Sequence, residues 1–458
     1  MPGITNLPQL IRDELVQRRE EGCDISEIKA RIDAAGEDDV AVAARYDELM
    51  ALPIQADFPY NEPNGYKEIR SLSTLNIPAK SIDFTSSVTA DKFEGAWLGR
   101  CCGCALGKPF EAAPFNNGTP DGKIGPYYIR RWYEAQGEEV LNGYAPAHSP
   151  IEEEYSSCHL LSPLSQRENI KFMETDDDVR YTVLSMLAAE NFGSDFTPLN
   201  IGGYWHQYLT YNEVFTAEAA AYINYAKYCL LTPKDEAEMN RFLDYIREYR
   251  NPYREWIGAQ IRIDGYAYAA AGDPELAAKM AFNDAAFSHV KNGIYGAMYC
   301  AAVIAAAFTE KNPMACIEAG LAQIPTTSRL YEAIKQSIVI AERASSMEEM
   351  HEALWAAFGN YSPVHTINNA AACTASFLFS EGDFDTAIRA AVGSGWDTDC
   401  NGATVGSMAG ALVGATAIPE KWKVPLNDTL YSNIPDFHPI AISACAKRSM
   451  ETAKKLRG

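Results

Sequence analysis

Gly95-Ala96-Trp97-Leu98-Gly99-Arg100-Cys101-Cys102-Gly103-Cys104-Ala105-Leu106-Gly107 is the stretch that decides the fold, because glycine returns in it at every fourth residue. On a helix that spacing keeps Gly95, Gly99, Gly103 and Gly107 close to one face, which is left without Cβ atoms. The same period recurs far along the chain in Gly402, Gly406, Gly410 and Gly414. Each glycine inside a helix costs about 1 kcal/mol relative to alanine, so two such stripes need a compensating gain. Close backbone approach to another helix or to a ligand is the expected source.

Outward from the first stripe, the texture from residue 91 onward is one of long Ala- and Gly-rich runs at 217–231, 235–249, 277–308, 315–323, 329–344, 346–358 and 366–380. Alternating β-branched runs are scarce, so the expected fold class is all-α, a compact multi-helix domain over residues 89–458. Before it, Leu7, Ile11 and Leu15, then Ile25, Ile28 and Ile32, then Val40, Ala44, Leu49 and Leu52 suggest a small helical appendage over residues 1–52. Pro53, Pro59, Pro63 and Gly65 then make residues 53–88 a Pro-rich connector. Residues 112–174 are rich in Pro, Gly, Tyr and acid, and a connection of that length is usually a functional loop or lid. Its Tyr127, Tyr128, Trp132 and Tyr133 suit either a stacking lid or rings that anchor the loop by packing.

The 458 residues carry 39 Lys+Arg against 61 Asp+Glu, a formal net charge of −22. This excess of acid argues against a nucleic-acid partner and against an anionic membrane surface. A hydrophobic fraction of 47% excludes a disordered or fibrous chain. Eleven cysteines, an odd number scattered from Cys23 to Cys445, and a charged N-terminal stretch lead to the expectation of a reduced, cytoplasmic protein. The least polar stretch, from Gly402 to Ile418, is expected to be a buried helix and not a membrane span.

Two acidic clusters stand at expected helix starts. Glu174-Thr175-Asp176-Asp177-Asp178 precedes the apolar run of Val179, Val183, Leu184, Met186 and Leu187, and Asp397-Thr398-Asp399-Cys400 opens the second glycine-striped helix. One or two acids at such a place satisfy an N-cap and the helix dipole. Three consecutive aspartates repel one another, and two such starts beside close-packed helices are more economically explained by divalent cations. Hard ions such as Mg²⁺ take oxygen ligands from Asp, Glu and Thr. A pair of ions about 3.5–4 Å apart needs roughly five of them, one bridging. Glu111, Thr175, Asp176, Asp177, Asp397 and Asp399 are the candidates. The absence of HExxH or a Cys/His grid disfavours zinc.

These residues resemble the signatures of the ADP-ribosylglycohydrolases, a family that includes the dinitrogenase reductase-activating glycohydrolase and the ADP-ribosylarginine and ADP-ribosylserine hydrolases. The stretch Gly95 to Glu111 is similar to GAxxGxxxGDAxGxPxE, Thr175-Asp176-Asp177-Asp178 to TDDT, and Gly395-Trp396-Asp397-Thr398-Asp399-Cys400-Asn401-Gly402-Ala403 to the start of GxDxDTxGAxxG. Ser288-His289 stands where the family usually has Thr-His. The resemblance implies an all-α domain with two Mg²⁺ or Mn²⁺ ions at the base of a cleft. Thr175, Asp176 and Asp177 would hold one ion, Asp397 the other, and Asp399 would bridge them. Asp177, Glu111 and Asp399 are the candidate catalytic carboxylates. Trp256, Gly258 and Arg262, in a segment that resembles GNGAAMR, are the candidate substrate-binding residues.

Three departures from the family pattern stand out: Cys104 for an Asp that is more plausibly structural, Cys400 for a Thr that supplies a metal oxygen, and Trp256 for a glycine beside the ligand's phosphates. A thiol is a poor partner for Mg²⁺. The readings that follow are a dimetal hydrolase acting on an ADP-ribosylated protein or a small ribosylated molecule, the same chemistry on a smaller N- or O-glycoside without the diphosphate, and a non-catalytic metal-dependent binder of ADP-ribose or a related ligand. His289 is expected to be a structural histidine.

Overall fold

The computed structural model describes residues 7–36, 38–73 and 77–458, so the first six residues of the expected appendage lie outside them. The chain is all-α: it is 62% helical, and the strands among the described residues are the antiparallel pair Thr429–Leu430 and Ile440–Ala441. At its centre the helices Ser87–Gly107 and Thr398–Val413 run antiparallel, and every residue from Gly95 to Gly107 is buried.

The two glycine stripes face each other. A Cβ on Gly99 would meet the Gly406 carbonyl and one on Gly406 the Gly99 carbonyl; Gly103 and Gly402 are related in the same reciprocal way, and so are Gly95 and Gly410. The gain that offsets these six poor helix formers is therefore contact of backbone with backbone, which any side chain would prevent. The last member of each stripe does something else. Gly107 lies against Thr398, whose hydroxyl donates to the Gly107 carbonyl at 2.9 Å, while Gly414 ends its helix with φ +86°.

Arg100 is the buried cation of the first striped helix. It pairs with Asp178 and Asp264 at 3.0 Å each and donates to the Ile261 carbonyl at 2.7 Å. One guanidinium thus ties the striped helix to the helix Asp177–Phe192 and to the 3₁₀ turn Ile257–Arg262.

The run at 277–308 is two helices, Pro274–Ala285 and Lys291–Ala307, not one. Tertiary bonds break it: Ser288 Oγ accepts from Arg262 and the Ser288 carbonyl from Asn251, while Val290 N–H donates to the Arg254 carbonyl. The run at 217–231 is helical only over Thr216–Tyr225. Residues 112–174 carry the helices Gly125–Glu134 and Ile151–Glu154, and the rings of Tyr128, Trp132 and Tyr133 are buried in the main core.

The N-terminal helices Leu7–Glu20, Ser26–Ala35, Asp39–Ala43 and Tyr46–Met50 form a separate small core of Leu10, Ile11, Leu15, Ile32, Val42 and Leu49. They dock on the body through charge. Arg254 pairs with Glu14 at 2.8 Å and Glu21 at 3.1 Å, Gln17 donates to Glu255 at 2.8 Å, and Tyr253 donates to Asp13 at 2.9 Å. On the connector, Glu62 pairs with Arg329, which also holds Glu255.

Candidate active site

Three segments remote in sequence meet where the striped helices end. The C-terminal end of Ser87–Gly107 continues through a 3₁₀ turn to Glu111; the start of Asp177–Phe192 brings Thr175, Asp176 and Asp177; the start of Thr398–Val413 brings Asp397 and Asp399. With Trp256 and Gly258 these residues line one cavity of about 410 Å³, within the ordinary size of small-molecule sites. Arg262 is not on its wall. It is buried, paired with Glu218 at 2.5 Å and Asp284 at 2.6 Å, and its Nη1 donates to the Gly258 carbonyl at 3.2 Å, so it supports the Gly258 turn from behind.

The two acidic helix starts differ. Asp176 is an N-cap: its Oδ1 accepts from the Asp178 N–H at 2.9 Å and its Oδ2 pairs with Lys108 at 2.5 Å. Burial alone would raise its acid, but Lys108 holds it below the usual carboxylate range. Asp397 occupies the N-cap position of its helix yet makes no capping bond, and among the described residues neither Asp397 nor Asp399 has an ion-pair partner. Asp399 is 2% exposed, and its Oδ1 is buried with no hydrogen bond. The turn before Asp397 is held by a stack of Trp396 on Trp355, with ring centroids 5.0 Å apart, and Trp396 adopts φ +58°. Asn369 Oδ1 accepts from the Asp397 N–H at 3.3 Å and from Asn401 at 2.8 Å.

The crowding shows in the acidities. Burial, then the charges of Asp176 and Asp399, push Asp177 up to about 8. Burial and the Asp399 carboxylate raise Asp397 well above the ordinary value, and burial and Asp176 raise Asp399. Glu111 is the solvent-exposed acid at the mouth, yet it too lies well above its ordinary value, because nearby protein limits its hydration and Asp399, Asp397, Asp176 and Asp177 oppose a further charge. A cluster of carboxylates that cannot all ionise, with an orphaned buried oxygen in its midst, has the character of a cation site. Two groups are compact enough to hold an ion: Asp397, Asp399 and Cys400, and Cys104, Asp176, Asp178 and Asp399, with Asp399 common to both.

Sequence reasoning did not single out Lys108, Arg180, Tyr181, Phe215, Thr216, Glu218, Ile257, Ile261 or Val364 on the cavity wall. Lys108 stands within the glycine motif itself; the others belong to ordinary helices and turns and carry no local signal. His289 is fully buried, shares a hydrogen bond with Ser288 Oγ at 2.8 Å through Nδ1, has Nε2 3.9 Å from Glu218, and is kept neutral by burial and Arg262.

A second cavity is larger, about 730 Å³, and lies between the helices Gly125–Glu134 and Met347–Phe358. There Arg130 pairs with Glu348 and Glu134, and among the described residues no set of metal-ligating side chains converges.

The cavity at the helix starts is what known proteins help to place. The sequence profile of the ADP-ribosylglycohydrolase family matches residues 85–452. A solved structure titled an ADP-ribosylglycohydrolase-related protein complex aligns with 81% of this chain and 100% of its own, at 19% identity and a TM-score of 0.48. No protein of curated function matches by sequence. Among the described residues no helix is long and apolar enough to cross a membrane. The profile spans both glycine-striped helices and every acid of the cavity, and the chain belongs to the ADP-ribosylglycohydrolase family, whose members are glycoside hydrolases.

Proposed function

We propose that this glycohydrolase cleaves the N- or O-glycosidic bond of a ribosylated substrate in the acidic cavity, with two divalent cations, Mg²⁺ or Mn²⁺, as cofactors. The observation that carries the reading is the convergence of Glu111, Asp176, Asp177, Asp397 and Asp399 from three distant segments, with Asp397 and Asp399 in no ion pair among the described residues. Thr175, Asp176 and Asp177 would hold one ion and Asp397 the other, with Asp399 between them. Bound there, the ions would neutralise the acids, engage vicinal ribose hydroxyls and acidify a water.

The chain's own groups do the rest. Glu111, exposed at the mouth and free of ion pairs among the described residues, takes the proton of the attacking water, and Asp177 is the alternative acceptor. The carboxylates around C1 of the ribose stabilise the positive charge that develops as the bond breaks. Trp256, Phe215 and Val364 form an apolar wall against which the leaving group packs.

That wall favours a substrate without a diphosphate. The cations lining the cavity are Lys108 and Arg180, against six acids, and both are engaged. Lys108 binds Asp176 and the Thr175 carbonyl; Arg180 binds Thr175 Oγ1 and the carbonyls of Glu213 and Ser432. The open side of Gly258, where a Cβ would stand, is taken by the Glu218 carboxylate, which repels phosphate. A smaller N- or O-riboside is therefore the preferred substrate over ADP-ribosylated protein. The odd, scattered set of eleven cysteines supports a cytoplasmic setting.

The test is turnover with Mg²⁺ or Mn²⁺ of ADP-ribosyl-arginine, ADP-ribosyl-serine and simple ribosides, beside Asp397→Ala and Asp399→Ala. Ribosides should turn over and the two variants should not. Faster turnover of the ADP-ribosyl substrates would overturn the preference for small ribosides, and binding without turnover of any of them would overturn the hydrolytic reading.

A further inference from the structure

We propose that Cys400 is a metal ligand, and that the corner formed by Asp397, Asp399 and Cys400 takes a thiophilic divalent ion of the Co²⁺ or Zn²⁺ class in preference to Mg²⁺. The inference rests on the reading of the cavity as a cation site and goes further, making the two ends of that site chemically unlike.

Four observations lead to it. The Cys400 sulfur and one carboxylate oxygen each of Asp397 and Asp399 lie within 4.8 Å of one another, the spread of donors around a single ion. All three side chains line the cavity. Asp399 Oδ1 is buried without any hydrogen bond, and Asp397, though at an N-cap position, does not cap. No Lys or Arg among the described residues pairs with either acid, whereas at the other end Lys108 already pairs with Asp176 and Arg100 with Asp178. The corner that lacks a protein cation is the one that offers a sulfur.

The chemistry of the donors then selects the ion. Mg²⁺ demands hard oxygen ligands and gains little from sulfur, while Zn²⁺ and Co²⁺ accept mixed carboxylate and thiolate sets. Binding forms a metal–sulfur bond and releases the thiol proton to solvent, with no change of oxidation state. In the ion-free cavity burial and the carboxylates of Asp178, Asp397, Asp399 and Asp177 push the Cys400 thiol up, so the thiolate is formed by the metal that displaces its proton. Cys104 is a weaker candidate. It is fully buried and lies off the cavity wall, and two of the acids around it, Asp176 and Asp178, are already paired. The expectation from sequence that zinc is disfavoured was built on the absence of a Cys/His grid, and a lone thiol among carboxylates has no such pattern to find.

The experiment is titration of the metal-stripped full chain with Co²⁺, read by optical absorption. A sulfur-to-cobalt charge-transfer band is expected in the native chain and in Cys104→Ser, and not in Cys400→Ser. Zn²⁺ affinity by calorimetry should fall by roughly 10²-fold or more in Cys400→Ser, since even outer partners of a metal ligand are worth about 10–100-fold, while Mg²⁺ affinity should not fall. Cobalt binding without the band, or a band that survives in Cys400→Ser, overturns the assignment of Cys400 and leaves the cation site standing; failure of Co²⁺, Zn²⁺, Mg²⁺ and Mn²⁺ all to bind overturns both. Should Cys400→Ser not fold, thiol alkylation of the native chain decides. Zn²⁺ should protect Cys400 and Mg²⁺ should not, with the exposed Cys229 as the internal reference; equal labelling of Cys400 with either ion would overturn the assignment.

Discussion

The two walls of the cavity are held in place by opposite physics. Glu111, Asp397 and Asp399 of the acidic wall hang from two helices pressed together glycine against glycine, with no charge at the contact, and Asp176 and Asp177 are tied to them through Lys108 and Arg100. Trp256 follows directly on Tyr253, Arg254 and Glu255, three successive residues gripped by Asp13, Glu14 and Gln17 of the first N-terminal helix and by Glu21 in the turn after it. Backbone contact fixes position by shape and is indifferent to pH and salt. A buried ion cluster fixes position by charge, and it fails sharply when one partner goes. The difference teaches that the striped-helix acids are placed by shape, whereas the segment leading to the aromatic is placed by charge, from the appendage at Arg254 and from the body at Glu255, with the Trp256 carbonyl accepting from Thr366 at 2.7 Å.

Each wall can be broken separately. The largest effect is expected from Arg254→Met, which leaves Glu14 buried without its ion-pair partner, while Glu21 keeps Arg18 and Lys291, at a cost of about 3–5 kcal/mol; denaturant unfolding measures it, and a loss below about 1 kcal/mol would mean that the appendage is held by its apolar contacts instead. Asp399→Ala should lower kcat by roughly 10²–10³-fold, comparable to removing one preorganised electrostatic group. The same change should raise the Tm of the ion-free chain, because one repelling carboxylate is gone. An unchanged kcat would remove Asp399 from the chemistry.

Gly103→Ala tests the acidic wall's support. Alanine is the better helix former by about 1 kcal/mol, yet its methyl meets the Gly402 carbonyl, and the net should be a loss of about 1–3 kcal/mol. A neutral or stabilised variant would show that the helices part easily.

The acids themselves give a pH signature in the ion-free chain. Asp177 holds its proton in the folded state up to about pH 8, whereas an unfolded aspartate releases it near pH 4. Its contribution is therefore full below about pH 4 and is lost as pH rises toward 8, so Tm should fall over that window. Mn²⁺ should raise Tm more at pH 8 than at pH 5, since the ligands must be ionised to bind it. A Tm that is flat with pH would show that the carboxylates do not crowd one another.

Trp256→Ala, the mildest change, should raise KM for an aromatic riboside by about 5–10-fold, the worth of one stacking contact, with kcat little altered. A fall in kcat alone would make Trp256 part of the chemistry and not of the wall.

The acidic wall was legible in the sequence because its determinants are local and periodic: a four-residue glycine spacing and two short acid clusters at helix starts. Even the division between striped helix and stop was half visible, since Gly414 has the spacing of its stripe but serves as a helix end with positive φ. The aromatic wall was not legible. Trp256 stood out, but nothing in its vicinity announces that Arg254 meets Glu14 and Glu21 more than 200 residues earlier, or that the helix run at 277–308 breaks to wrap the same arginine's carbonyl. Arg262 lay in the right motif and on the wrong side of the backbone. Periodicity reports which face of an element is special; partners chosen across the chain leave no such trace.

The reciprocal glycine contacts have one more consequence. Two helices that mesh carbonyl into α-carbon at every turn cannot creep past each other. The next setting that brings glycine against glycine lies one period of the stripe away, four residues or about 6 Å, which would carry Asp397 and Asp399 away from Glu111. The floor of the cavity therefore behaves as a mechanical stop with a single position, and the room for descendants of this chain to change substrate lies in the aromatic wall opposite it.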